Sequence, residues 1–150
     1  MSAILLLKLA HILAAIVAVG ANVTYTFWIR RAERDPQHLA WTIAGIRRLD
    51  RRISTPSYVL VLLTGLAMVA GGYFSFGTRW IQAALVLYVI VVILAIAVYA
   101  PTFRRQLRAA EVDPTSAEYR ALSRRTQLYG WLVTGVVVVI IGLMVLKPAL

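Results

Sequence analysis

The fold class this sequence predicts is all-α: an integral membrane four-helix bundle. Three observations predict it. Of its 150 residues, 61% are hydrophobic, against about 45–50% apolar in an ordinary soluble domain. Four stretches, 9–29, 53–78, 80–103 and 126–146, contain no Asp, Glu, Lys or Arg and run to 21, 26, 24 and 21 residues. Each meets the roughly 20 residues that a helix needs to cross a ~30 Å hydrocarbon core. Thirteen of the sixteen basic residues, all Arg, fall in the two segments that separate the first stretch from the second and the third from the fourth. Arg and Lys accumulate in cytoplasmic loops beside membrane segments, so both Arg-rich segments are expected inside and both chain ends outside. The chain reads as one transmembrane domain over 1–150, with spans at about 4–29, 55–72, 80–99 and 126–147.

The first span could be mistaken for a signal peptide. No basic residue precedes its apolar run, however, and Lys8 and His11 interrupt it, so it reads as a retained first helix. Arg30 and Arg31 anchor its inner end beside Phe27 and Trp28. Asp35-Pro36 has the form of an N-cap with proline at the first helical position. Leu39, Ile43, Ile46, Leu49 and Ile53 then recur at helical spacing against Arg47, Arg48, Arg51 and Arg52. That is an amphipathic helix, either lying on the membrane or extending the second span inward. Pro56 marks its junction with the second span, which ends near Gly71-Gly72. Tyr73, Phe74, Phe76 and Trp80 form an aromatic belt around a tight external turn before the third span. Asp113-Pro114 repeats the cap signal, and Thr115 to Tyr129 reads as helix running into the fourth span.

The halves resemble each other: apolar helix, Arg-Arg pair, Asp-Pro, second Arg-Arg pair, apolar helix. Both enter the membrane from the same side, so a 2+2 duplication would be a parallel repeat about an axis along the membrane normal.

One helix face in the first span carries Lys8, His11, Ala15, Ala18, Asn22 and Tyr25 at alternating spacings of three and four. Polar groups are costly in hydrocarbon and small residues permit close approach, so this stripe is expected at a helix interface, with Leu9, Leu13 and Ile16 nearer lipid. Tyr88 and Tyr99 are candidate partners for Asn22 and Tyr25. Gly65 with Gly72, and Gly135 with Gly142, are each seven apart, and read as close-packing faces. His11 is the lone histidine of the spans. It is either an axial haem ligand, with Met68, Met144 or a second subunit opposite, or a copper ligand, or a structural imidazole bonded to a backbone carbonyl or a tyrosine such as Tyr88.

Several functions are excluded or disfavoured. The absence of cysteine removes disulfides, thiolate metal sites and cysteine nucleophiles. All six acidic residues, Glu33, Asp35, Asp50, Glu111, Asp113 and Glu118, lie in the Arg-rich segments, whereas proton- and cation-coupled carriers commonly place a carboxylate within the membrane. No phosphate loop, Ser/His/Asp set or zinc-type cluster is present. The net charge of +10 follows membrane topology and suits anionic headgroups, so nucleic acid is not expected as a partner.

The opening Leu6-Leu7-Lys8-Leu9-Ala10-His11-Ile12-Leu13-Ala14-Ala15, with Gly20 and Asn22, resembles a family of bacterial four-span predicted integral membrane proteins catalogued as a domain of unknown function. So do Arg47-Arg48-Leu49-Asp50-Arg51 running into Thr55-Pro56, and the ending Leu143-Met144-Val145-Leu146-Lys147-Pro148. The resemblance covers essentially the whole chain and implies a four-span protein of the bacterial inner membrane. The Lys-x-x-His opening also looks like copper-resistance-D type membrane proteins and the small haem-linked protoporphyrinogen oxidases, in which a first-helix histidine, here His11, is associated with haem or porphyrin. The oxidase type has a functional lysine in a later span; this chain has none between Lys8 and Lys147.

The expected function is non-enzymatic: an accessory subunit or oligomeric component whose partners are the bilayer and other membrane subunits or its own copies. The alternatives are a haem- or porphyrin-binding protein using His11, and a permease for a small solute or metal.

Overall fold

A computed structural model describes residues 3–148, and residues 1, 2, 149 and 150 lie outside that description. The described chain is helical apart from short turns, in the order α1 (Ala3–Ala32), α2 (Pro36–Leu49), α3 (Thr55–Ala70), α4 (Arg79–Leu94), α5 (Ala100–Val112) and α6 (Ala117–Leu146). Between α2 and α3, and between α4 and α5, the helix does not stop. It widens for one π-helical turn, at Asp50–Ser54 and Ala95–Tyr99, and continues. Four long helices result, each apolar and long enough to cross a membrane. The amphipathic segment after Asp35 therefore extends the second span rather than lying across the membrane surface.

Both wide turns have the same cause. Pro56 and Pro101 follow them by two residues, and proline lacks the N–H for the carbonyl four residues back while its ring crowds that carbonyl. Widening the preceding turn relieves the crowding: Thr55 N–H donates to the Asp50 carbonyl and Ala100 N–H to the Ala95 carbonyl, each five residues back. Each wide turn lies 16 to 20 residues from the far end of its helix, Ala70 or Arg79, roughly 24–30 Å along the axis. They occupy the same depth.

α1 packs along α3 and α4 along α6, giving two helical pairs. The pairs join through α1 with α6 and through α2 with α5. No Cα of α3 comes within 8 Å of one in α4, and that side of the bundle is bridged instead by a hydrogen bond from the Tyr88 hydroxyl to the Tyr58 carbonyl at 2.8 Å. The halves are alike in their pairing but differ in detail, since the wide turns sit in the second and third long helices.

The main core lies at the arginine-rich end, where Leu39, Ile43 and Ile46 of α2 meet Phe103, Leu107 and Ala110 of α5 with Tyr25 and Ile29 of α1. Leu49 and Ile53, expected on that same stripe, are exposed: the buried face passes from Ile46 to the partly buried Asp50 rather than to Leu49, and Ile53 lies within the wide turn. Glu33, at the end of α1, accepts from the Tyr119 hydroxyl at 3.0 Å and from Ser123 Oγ at 2.7 Å, fastening α1 to α6. A second cluster around Ala84, Val91, Val137 and Ile140 joins α4 to α6 toward the other end.

The two Asp-Pro signals resolve differently. Asp35 precedes α2 with Pro36 in its first turn, but its carboxylate bonds His38 Nδ1 at 2.8 Å rather than a backbone N–H. Asp113 ends α5 and accepts from Thr115 N–H and Oγ1 at 2.8 and 2.7 Å. The cap of the last helix is Ser116, which accepts from Tyr119 N–H at 3.1 Å, so that helix starts two residues later than the Asp-Pro pattern predicts. Its far end closes on Lys147 in the left-handed conformation, φ 44°, followed by Pro148, which ends the helix.

Candidate functional site

The polar stripe of α1 meets α3. His11 is nearly buried, and its Nδ1 lies 2.9 Å from Thr64 Oγ1. The Thr64 hydroxyl already donates to the Leu60 carbonyl at 2.6 Å, so the imidazole is the donor in that pair. Gly65 leaves room for it: a Cβ there would stand 3.4 Å from His11 Cε1. The side-chain partner of His11 is thus a threonine rather than Tyr88, whose hydroxyl goes to the Tyr58 carbonyl. Met68, one turn beyond Thr64, is buried, and Met144 packs partly buried against the second core cluster.

Ala18 is fully buried and Ala15 half-buried, while Leu9, Leu13 and Ile16 lie on the outside. Lys8 is exposed and stands off the interface, with Nζ 5.7 Å from the Phe74 ring centre; its long stem carries the ammonium to the end of the bundle. A Cβ at Gly135 or Gly142 would meet nothing within 4 Å, so within one chain neither glycine is a point of close helix approach.

Toward the arginine-rich end, the stripe opens on a cavity of about 320 Å³ between the two helical pairs. Asn22 Nδ2 donates to the Tyr58 hydroxyl at 2.6 Å, and the Tyr25 hydroxyl lies 2.7 Å from Ser54 Oγ. Ser54, fully buried, belongs to the first wide turn. Tyr99, in the second wide turn, stacks on Phe103 with ring centres 5.7 Å apart and an interplanar angle of 12°. Both wide turns contribute to the wall, through Asp50 and through Ala95, Ile96 and Tyr99.

The wall also contains Gln106 of α5, which is fully buried. Its Oε1 and Nε2 make no hydrogen bond of good geometry among the described residues, the Tyr119 hydroxyl being the polar group beside them. A buried polar group without a partner carries the full cost of leaving water, about 1–3 kcal/mol, and such groups are uncommon in folded proteins. Asp50 lines the same cavity, with no salt bridge to a basic residue among the described residues. The rim between α3 and α4 is apolar, with Val59 and Ile96 exposed on it.

The structure therefore brings Asn22 and Tyr25 together with Tyr58, Ser54, Asp50 and Gln106, four residues the sequence reading did not select. Asp50 and Gln106 lie in Arg-rich segments, among charged neighbours. One signal was present: Asp50 follows Ile43 and Ile46, and Gln106 follows Phe103, at the spacing of the buried faces.

The family model described as a predicted integral membrane protein, DUF2269, matches residues 5–148. The chain belongs to this family. No curated protein and no solved structure matches it. Membership and the four long apolar helices agree that this is a multi-pass integral membrane protein, embedded in a lipid bilayer.

Proposed function

We propose that the protein binds a small amphipathic molecule, drawn from the lipid phase, in the cavity between its helical pairs. The observation that carries this is Gln106: a fully buried amide, without a well-formed hydrogen bond, in the wall of a 320 Å³ space. With the Gln106 side chain turned into the cavity, an occupant with both a donor and an acceptor on its polar end would satisfy Oε1 and Nε2 together. Its apolar body would lie among Val91, Val92 and Ile96, which line the same space. The seam between α3 and α4, where the backbones stay apart and the rim is apolar, offers a path from the bilayer. No residue set for bond-making chemistry accompanies the cavity, so binding is the activity, exercised as a component of a larger membrane assembly or of an oligomer. The arginine-rich end faces the cytoplasm in this reading, and the membrane is the bacterial inner one.

The test is Gln106→Leu, which removes both unpaired polar atoms at similar volume. Without ligand the variant should be at least as heat-stable as the native protein, since the change breaks no hydrogen bond of good geometry. Organic extracts of the purified native protein should contain a molecule at near-equal molar ratio that is lost from the variant. A variant less stable than the native protein when both are ligand-free, or identical extracts from the two, would sink the reading.

A further inference from the structure

A second hollow, of about 380 Å³, lies on the other side of the α2–α5 contact. It is lined by Ala44, Arg47, Arg48, Arg51, Arg52 and Leu107. We propose that this hollow binds the phosphate headgroup of a membrane lipid, and that its four guanidiniums select headgroups carrying two negative charges over those carrying one. The proposal is independent of what occupies the cavity lined by Gln106.

The four arginines form two adjacent pairs on successive turns, the second within the wide turn at 50–54, and all four line the one hollow. They are not neutralised by the protein. Among the described residues the one ion pair is that of His38 with Asp35. Asp50, three residues past Arg47, lines the other cavity, and Glu111, one turn past Leu107 on α5, is exposed and pairs with none of them. Four unpaired cations around one hollow repel one another, and an anion placed among them removes that repulsion. Guanidinium is the cation whose planar fork matches phosphate oxygens in pairs.

Depth identifies which phosphate. Arg52 and Arg47 lie 18 and 23 residues before Ala70, the far end of the long helix, roughly 27 and 35 Å along the axis. With a hydrocarbon core of ~30 Å, the hollow stands at the level of the headgroups on the arginine-rich side. Ala44 and Leu107 give it an apolar floor against which the glycerol end of a lipid can lie. A free phosphate would satisfy the arginines but not the floor.

The experiment uses the whole protein in phosphatidylcholine nanodiscs containing either phosphatidic acid, whose phosphomonoester approaches two charges, or singly charged phosphatidylglycerol. Lipids retained on release from the disc are counted by native mass spectrometry. The native protein should retain one phosphatidic acid in preference to phosphatidylglycerol by about tenfold, and millimolar inorganic phosphate should not displace it. Replacing Arg47, Arg48, Arg51 and Arg52 together by Gln should abolish that retention. Replacing Arg34, Arg120, Arg124 and Arg125 by Gln, which removes the same charge from the same end, should leave it. Replacing the first four by Lys keeps the charge and the topology but loses the fork, and should erase the preference for the doubly charged lipid. Equal losses in the two Gln variants would mean a diffuse field rather than a site. Full displacement by inorganic phosphate would mean a free-anion site, and either result overturns the proposal.

Discussion

Asn22 and Tyr58 are joined by a hydrogen bond of 2.6 Å from the Asn22 amide to the Tyr58 hydroxyl, which ties α1 to α3 at the level of both wide turns. The Tyr58 carbonyl accepts from Tyr88, so one tyrosine links three helices across the cavity. Interhelical bonds of this kind average about 0.6 kcal/mol and reach about 1.7 kcal/mol. Asn22→Ala and Tyr58→Phe should each destabilise within that range, and the double variant should cost less than the two singles added. Strict additivity in a reversible unfolding measurement would show that the bond contributes nothing.

Ala18 lies fully buried on the α1 stripe and Leu13 is 52% exposed on its outer face. Ala18→Leu should therefore destabilise by overpacking, about 1–3 kcal/mol, and Leu13→Ala by much less. Thermal unfolding of the two variants in the same detergent checks the order. Equal tolerance would place α1 in a different rotation.

His11 donates from Nδ1 to Thr64 beside Gly65, which satisfies one nitrogen of the imidazole within an apolar span. Gly65→Ala should be accepted, because its Cβ would meet His11 Cε1 at an ordinary 3.4 Å. Gly65→Leu should displace the ring and lower the melting temperature about as much as His11→Ala does. After haem supplementation, native protein and His11→Ala should give the same absorption spectrum. A Soret band present in the native protein and lost in the variant would instead establish His11 as a haem ligand.

The distribution of arginine predicts that the α1–α2 and α5–α6 connections face the cytoplasm. The chain has no cysteine, so single cysteines at Gln37 and Thr115 can be probed without background. An impermeant thiol reagent added to intact cells should label neither, and both should react once the membrane is opened. Labelling of both from outside would invert the orientation.

Asp113 accepts two hydrogen bonds from Thr115, and these hold its carboxyl below the usual carboxylate range. A carboxyl with a lowered native pKa adds stability above the unfolded value, ~3.9, and loses it as pH falls through the native one. The turn between α5 and α6 should thus loosen only in strong acid. Asp113→Asn should remove that dependence, as read by hydrogen exchange of the Thr115 amide across pH 2 to 5.

The bundle was legible because its signals are global: apolar length sets the spans, and crowded arginines set their ends. The cavity was not, for a local reason. Its wall is built where Pro56 and Pro101 force wide turns, and a pattern read at a constant 3.6 residues per turn does not register the extra residue. Ile53 is accordingly exposed although it continues the apolar spacing of α2, since it lies within the first wide turn. Gln106 was hidden differently, as one uncharged side chain among the arginines of α5. The His11 partner escaped because Thr64 is a residue whose hydroxyl commonly bonds its own helix, as it also does here.

Phe74 holds one further consequence. The ammonium groups of Lys8 and Lys147 lie 5.7 and 5.5 Å from its ring centre, so the opening turns of the first long helix and the closing turn of the last converge on a single side chain. Loop closure grows costly only slowly with length, and here side chains from both helices already reach one ring. A short glycine-rich linker between them would turn the chain into a ring. That ring could then be opened at 33–35, outside all four long helices, giving a circular permutant whose new ends both emerge on the arginine-rich side.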